Sequence, residues 1–99
     1  MMKYRYKNKK MKNTHPLLVS CGHCKTPVVL YQKGGKGNLI KIQFPRVLEC
    51  SMDIFNDRGH LICPNCKTVL AKRGDFHGTE CFWVLRGKVN TKILSHYNY

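Results

Sequence analysis

Two Cys-x-x-Cys pairs, Cys21/Cys24 and Cys63/Cys66, constrain this chain more than anything else in it. Cysteines three apart in a tight turn place both sulfurs on one ion, so each pair is half of a tetrahedral site. Two such knuckles close the tetrahedron and leave no position for water, which points to a structural ion rather than a catalytic one. The spacing therefore predicts one Zn2+ held by Cys21, Cys24, Cys63 and Cys66. An iron centre on the same four sulfurs is the rival. A thioredoxin-like redox motif would need a single Cys-x-x-Cys in a βαβ setting. A chain of 99 residues makes one domain with a marginal core, the situation in which a metal staple counts most.

The segment 21–30, Cys-Gly-His-Cys-Lys-Thr-Pro-Val-Val-Leu, parallels 63–70, Cys-Pro-Asn-Cys-Lys-Thr-Val-Leu. Each half reads as knuckle, Lys-Thr, strand, as two pseudo-symmetric grips on one ion require. Val28–Tyr31 is a β-branched apolar run, and Ile40, Ile42 and Phe44 alternate with Lys41 and Gln43. Around the turn 34–38 these two runs are expected to pair as a hairpin, closed by Pro45. Residues 46–60 fit no clean period and read as a loop or short helical turn. Val69–Ala71 continues as a strand, Gly74–Gly78 turns the chain, Glu80–Leu85 reads as the strongest strand, and Lys92–Leu94 as a short edge strand. Cys50 and Cys81 are expected as small buried apolar residues. The five histidines show no ligand spacing and are left out of the metal site.

Residues 1–16 read as a basic tail, 17–95 as the folded domain and 96–99 as a second short tail. Within the first of these Lys3, Arg5, Lys7, Lys9, Lys10 and Lys12 give six positive charges and no acid. Tyr4 and Tyr6 are interleaved with them, but nothing in the segment reads as repeating with a helical or strand period, and the tail is expected to be disordered alone. No stretch approaches the ~20 apolar residues of a membrane span. A secretory signal needs an apolar region of roughly 7–15 residues, and residues 12–16 break the place where one would lie. No membrane partner and a cytoplasmic, thiol-reducing location are expected.

With 18 Lys and Arg against 5 Asp and Glu, the formal net charge is +13. Such an excess suits a polyanionic partner, and phosphate is the usual one. The candidate nucleic-acid contacts are the six tail cations, then Lys33, Lys36, Lys41 and Arg46, then Lys72, Arg73, Arg86 and Lys88. Tyr4, Tyr6, Tyr31, Tyr97 and Tyr99 are candidates for stacking on unpaired bases. Of the neighbours Phe82 and Trp83, which point to opposite faces of a strand, one belongs to the core. RNA is favoured over DNA, because no recognition helix for a major groove is visible and basic segments commonly order on structured RNA. No catalytic constellation is found. The Gly34–Gly37 turn is not a phosphate-binding P-loop, since Lys36 is followed by Gly37 rather than Ser or Thr. Neither an enzyme nor a small-molecule substrate is expected.

The two knuckles, with Cys63-Pro64-Asn65-Cys66-Lys67 the clearest, resemble the zinc-ribbon superfamily. The stretch Tyr31–Lys41, with its Gly-Lys-Gly turn, is similar to one in small prokaryotic zinc-ribbon proteins. The likeness covers residues 18–87 and not the basic tail, and it departs in the 38 residues (25–62) between knuckles and in the charge. It implies a small β-rich zinc ribbon of two knuckles and antiparallel β-hairpins. Ribbons of this type occur in ribosomal proteins, RNA polymerase subunits and transcription factors. The expectation is therefore an RNA-binding accessory protein of the ribosome or another ribonucleoprotein, with ribosomal proteins as further partners. The alternative is an interaction or DNA-binding module of the transcription machinery. Superfamily membership alone assigns neither.

Overall fold

Leu17, Val19 and Cys21 alternate with Leu18 and Ser20, and that period of two builds β2 (Thr14–Cys21) with one face inward. A computed structural model describes residues 2–35 and 37–99. β2 leads through the first knuckle into β3 (Pro27–Gly34), which pairs back on it antiparallel, Leu17 opposite Tyr31 and Val19 opposite Val29. β5 (Val47–Cys50) lies along the other edge of β3, β1 (Tyr4–Arg5) flanks β5, and β9 (Val89–Ile93) flanks β2. The order of this five-stranded sheet is β1-β5-β3-β2-β9. A second sheet, β4-β8-β7-β6, is built from β4 (Lys41–Gln43), β6 (Leu61–Ile62), β7 (Val69–Phe76) and β8 (Thr79–Val84). Their apolar faces share one core, with Val19, Val29 and Tyr31 from the first sheet and Ile42, Leu70 and Phe82 from the second. The fold is thus β-rich and antiparallel, with a 3-10 turn at Phe44–Arg46 as its helical element.

Several elements differ from the sequence expectation. The runs 28–31 and 40–44 do not form a hairpin: both edges of β3 are taken, by β2 and β5, and β4 pairs instead with β8, Ile42 opposite Phe82. Pro45 sits in the 3-10 turn that sends the chain back from the second sheet to the first. β5 falls where a loop was expected. All four of its residues are buried, so it has no polar alternation to read. The helical turn does occur later, where Asp57 N–H donates to the Asp53 carbonyl at 2.8 Å. Gly74 lies inside β7 and not in a turn, which falls at His77–Gly78. The reason for a glycine there is Trp83: a Cβ at position 74 would lie 2.7 Å from the indole Cδ1.

The basic segment 2–13, expected to be disordered, is laid along the edge and outer face of the five-stranded sheet. Two buried polar side chains on that face explain why. Gln32 accepts the Met11 amide at 2.7 Å and donates to the Lys9 carbonyl at 2.9 Å. Glu49 accepts the Met2 amide at 3.0 Å and the Tyr97 hydroxyl at 2.8 Å. Buried polar groups need partners, and here the segments near both ends of the chain supply them. Tyr6 adds a third tie, its hydroxyl accepting the Ile54 amide at 3.0 Å.

The Tyr97–Glu49 contact makes a pH prediction. Burial first, then the hydrogen bond to Glu49 and its charge, push the Tyr97 hydroxyl up to about 12, with Arg5 opposing. The folded state therefore holds this proton more tightly than the unfolded chain, whose tyrosines ionise near about 10. The contact contributes fully below about pH 10 and is lost as pH rises through about 12. In an absorbance titration of tyrosinate, Tyr97 is expected to ionise in the last step, and Y97F to lack that step. An unchanged titration in Y97F would show that Tyr97 is not held this way.

Candidate metal centre

Each knuckle sits at the tip of a hairpin, between β2 and β3 and between β6 and β7, and the two are built alike. Cys21 N–H donates to the Thr26 carbonyl at 2.9 Å, and Cys63 N–H to the Thr68 carbonyl at 2.9 Å. Lys25 N–H returns to the Cys21 carbonyl at 2.9 Å, and Lys67 N–H to that of Cys63 at 3.0 Å. To close so tightly, Lys25 and Lys67 take left-handed backbones with φ of 66° and 65°. For an L-residue that conformation costs roughly 1–2 kcal/mol. Both lysine ammoniums then donate inside their own knuckle, to Gly22 O at 3.3 Å and Pro64 O at 3.0 Å. The first knuckle is also pinned from outside, where Gly22 N–H donates to Lys88 O at 2.8 Å and a Cβ on Gly22 would meet that oxygen at 3.0 Å.

The two tips bring Cys21, Cys24, Cys63 and Cys66 together, their sulfurs all within 4.8 Å of one another. Cys21 and Cys63 face the core and are buried, whereas Cys24 and Cys66 are half-buried. The closest approaches run between knuckles, Cys21 to Cys66 at 3.6 Å and Cys24 to Cys63 at 3.4 Å. A tetrahedron with metal–sulfur bonds near 2.3 Å has edges of about 3.8 Å, so these spacings fit four thiolates on one ion. A disulfide sulfur pair lies at about 2.0 Å, and all six cysteines are free thiols.

The electrostatics favour thiolates at Cys24 and Cys66, whereas at Cys21 the hydrogen bond from the Cys24 amide is outweighed, burial contributing, and the thiol is pushed up. The Thr26 hydroxyl, 3.2 Å from the Cys24 sulfur, followed by the Asn65 side chain and the Thr26 amide, brings Cys24 down to about 5. Thr68 does the same for Cys66 through its hydroxyl at 3.1 Å and its amide. These threonines were not singled out as functional in the sequence, although the repeated Cys-Lys-Thr carried the signal. The other two cysteines stand apart from the cluster: Cys50 and Cys81 are both buried, and burial pushes the Cys50 thiol up to about 11. His60 has a different task, its Nδ1 accepting the Arg73 amide at 3.0 Å.

The candidate phosphate contacts fall into separate places. Lys3, Arg5, Lys7, Lys9, Lys10 and Lys12 are exposed along one edge of the five-stranded sheet. Lys33, Lys41 and Arg46 converge around one hollow, while Lys36 lies outside the described residues. Lys72 and Arg86 are exposed on and after the second sheet, and Lys88 lies beside the first knuckle. Arg73 is committed elsewhere. Its guanidinium donates to Gly59 O at 3.2 Å, Ile54 O at 2.9 Å, Asp57 O and Glu80 Oε2 at 3.0 Å, and it lies over the rings of Phe44 and Phe82. It fastens the 54–60 loop and has little left to offer a phosphate. Among the stacking candidates, Tyr31 is buried, with its hydroxyl accepting the Gln43 amide at 3.0 Å. Phe82 is the core member of the Phe82–Trp83 pair.

No family model, curated protein or solved structure matches this chain. Among the described residues no helix is long and apolar enough to cross a membrane.

Proposed function

We propose that the four cysteines hold one structural Zn2+, making the chain a zinc ribbon, and that the folded unit is an RNA-binding accessory protein of a ribonucleoprotein such as the ribosome. The cysteine cluster supports the first part: four sulfurs at tetrahedral spacing, gripped by two matching knuckles, offer no ligand position to a substrate.

The second part rests on the use made of the acids. All five are engaged within the fold. Glu49 holds Met2 and Tyr97; Asp53 takes the Phe55 and Asn56 amides; Asp57 takes Gly59; Asp75 takes Gly78; Glu80 takes Arg73 and Arg58. Among the described residues, Arg58 and Arg73 are the cations that reach a carboxylate, and both do so at Glu80. The remaining positive charge is left for a partner, and a polyphosphate backbone supplies the matching anions.

Sedimentation of a native lysate tests this. The chain is expected to travel with ribonucleoprotein particles at low salt and to return to the top of the gradient after ribonuclease or at high salt. Sedimentation at the top under every condition contradicts the reading. Fast sedimentation that survives ribonuclease replaces it with docking on a protein assembly.

A further inference from the structure

The segment Lys3–Lys9 is an extended strap whose exposed positions are all basic. Lys3, Arg5, Lys7 and Lys9 are exposed, the Arg5 guanidinium turned onto the Tyr97 ring and the Asn98 carbonyl, while Tyr4, Tyr6 and Asn8 between them are half-buried. Alternate residues of an extended chain are about 7 Å apart, so the exposed lysines of the strap follow one another at a step comparable to that of the phosphates of a stretched nucleotide strand. It is fixed in place by backbone and side-chain ties: Tyr6 N–H to Leu48 O at 2.9 Å, Asn8 Nδ2 to Val47 O at 2.6 Å, and Gln32 to Lys9 O at 2.9 Å. The row is organised before any ligand arrives, which spares the entropy of ordering it on binding.

Beside the strap lies an open cleft of about 690 Å³, lined also by Tyr97 and Tyr99. That size is within the roughly 300–1,000 Å³ of small-ligand sites. Lys7, Lys9 and Lys10 line it and no acid does. Tyr97 is occupied: Arg5 covers its ring at 5.3 Å and its hydroxyl is held by Glu49. Tyr99 meets Tyr97 edge-on at 5.0 Å and is 41% exposed, so it has ring surface to offer.

We infer that RNA is taken as a single strand, its phosphates following the lysines of the strap and one unpaired base entering the cleft to stack on Tyr99. This rests on the RNA-binding reading above and adds to it the form of RNA and the place of contact. A duplex keeps its bases paired and presents none for such a cleft. An aromatic face with flanking cations accepts any unpaired base, so little sequence preference is expected.

The test is fluorescence anisotropy with the zinc-loaded full chain, a labelled short oligouridine and an RNA duplex of equal length. The single strand is expected to bind about tenfold or more tighter than the duplex. Y99A is expected to weaken it by about tenfold, and Y99F to retain it. The double variant K7Q/K9Q is expected to reduce the slope of log affinity against log salt by about 1.4. Circular dichroism of each variant confirms that the fold is kept. Equal affinity for duplex and single strand, with no loss in Y99A, overturns the inference while RNA binding itself stands. Failure of the wild-type chain to bind either RNA removes the RNA reading as well.

Discussion

Stripping the metal with a strong chelator is expected to unfold the chain, and C66A is expected to leave it unfolded even with zinc in excess. Zinc on small finger peptides is worth about 10–16 kcal/mol (apparent, neutral pH), whereas whole domains are stable by only about 5–15 kcal/mol. Here the two hairpins that carry the knuckles belong to different sheets, so an ion held by the four cysteines would tie the sheets together at one end of their shared core. Without it, four thiols stay crowded at 3.4–3.6 Å across the knuckle contacts, with two of them buried. Far-ultraviolet circular dichroism during chelation, with zinc then restored, reads the effect. Loss and recovery of the β signal is the expected result. A spectrum and melting temperature unchanged by complete metal removal would show that packing alone holds the fold.

The second large effect is expected at Arg73. Its side chain is only 14% exposed and connects the loop at 54–60 to Glu80 through four acceptors, while packing over two phenylalanine rings. R73A leaves the Ile54, Asp57 and Gly59 carbonyls without that partner and exposes the Phe44 and Phe82 faces. Glu80 is 53% exposed and is not stranded as a buried charge, so the loss is that of hydrogen bonds from a charged group together with ring packing, about 2 kcal/mol. For a domain of this size that lowers the melting temperature by about 10 °C. R73K is expected to recover little, because an ammonium cannot replicate a planar fork that serves several acceptors at once. Thermal melts of the zinc-loaded variants check this. A shift of a few degrees would mean that the loop is anchored by other contacts.

What was legible in the sequence was chemistry with a local spacing. The two knuckles, their matched continuation into strands and the strand at 79–84 all follow from residues within ten positions of one another. What was not legible depended on distant partners. β5 looks like a loop because its outer face is covered by segments from both ends of the chain, which turns Glu49 into a buried residue in mid-strand. The expected hairpin of 28–31 with 40–44 failed because β5 and β2 take both edges of β3. Neither competitor is visible locally. The strap is the more instructive case. The segment was read as having no period, yet its tyrosines and cations do alternate with a strand period, Lys3-Tyr4-Arg5-Tyr6-Lys7-Asn8-Lys9. The inward face was made of tyrosine and asparagine rather than aliphatic residues. Its receptors, Gln32 and Glu49, are polar side chains whose burial depends on the strap that covers them. Arg73 was counted among the phosphate contacts for a related reason: its charge is visible in the sequence, and the four acceptors around it are not.

The cysteine site is where the account is most directly open to measurement. Zinc K-edge X-ray absorption, on protein purified without added metal and with metal content determined in parallel, reads both the element and its shell. One zinc per chain, with four sulfur neighbours at about 2.3 Å and no nitrogen or oxygen, is the expected result. Protein that is folded and metal-free, or that carries iron, or whose zinc has a mixed nitrogen and sulfur shell, would contradict it.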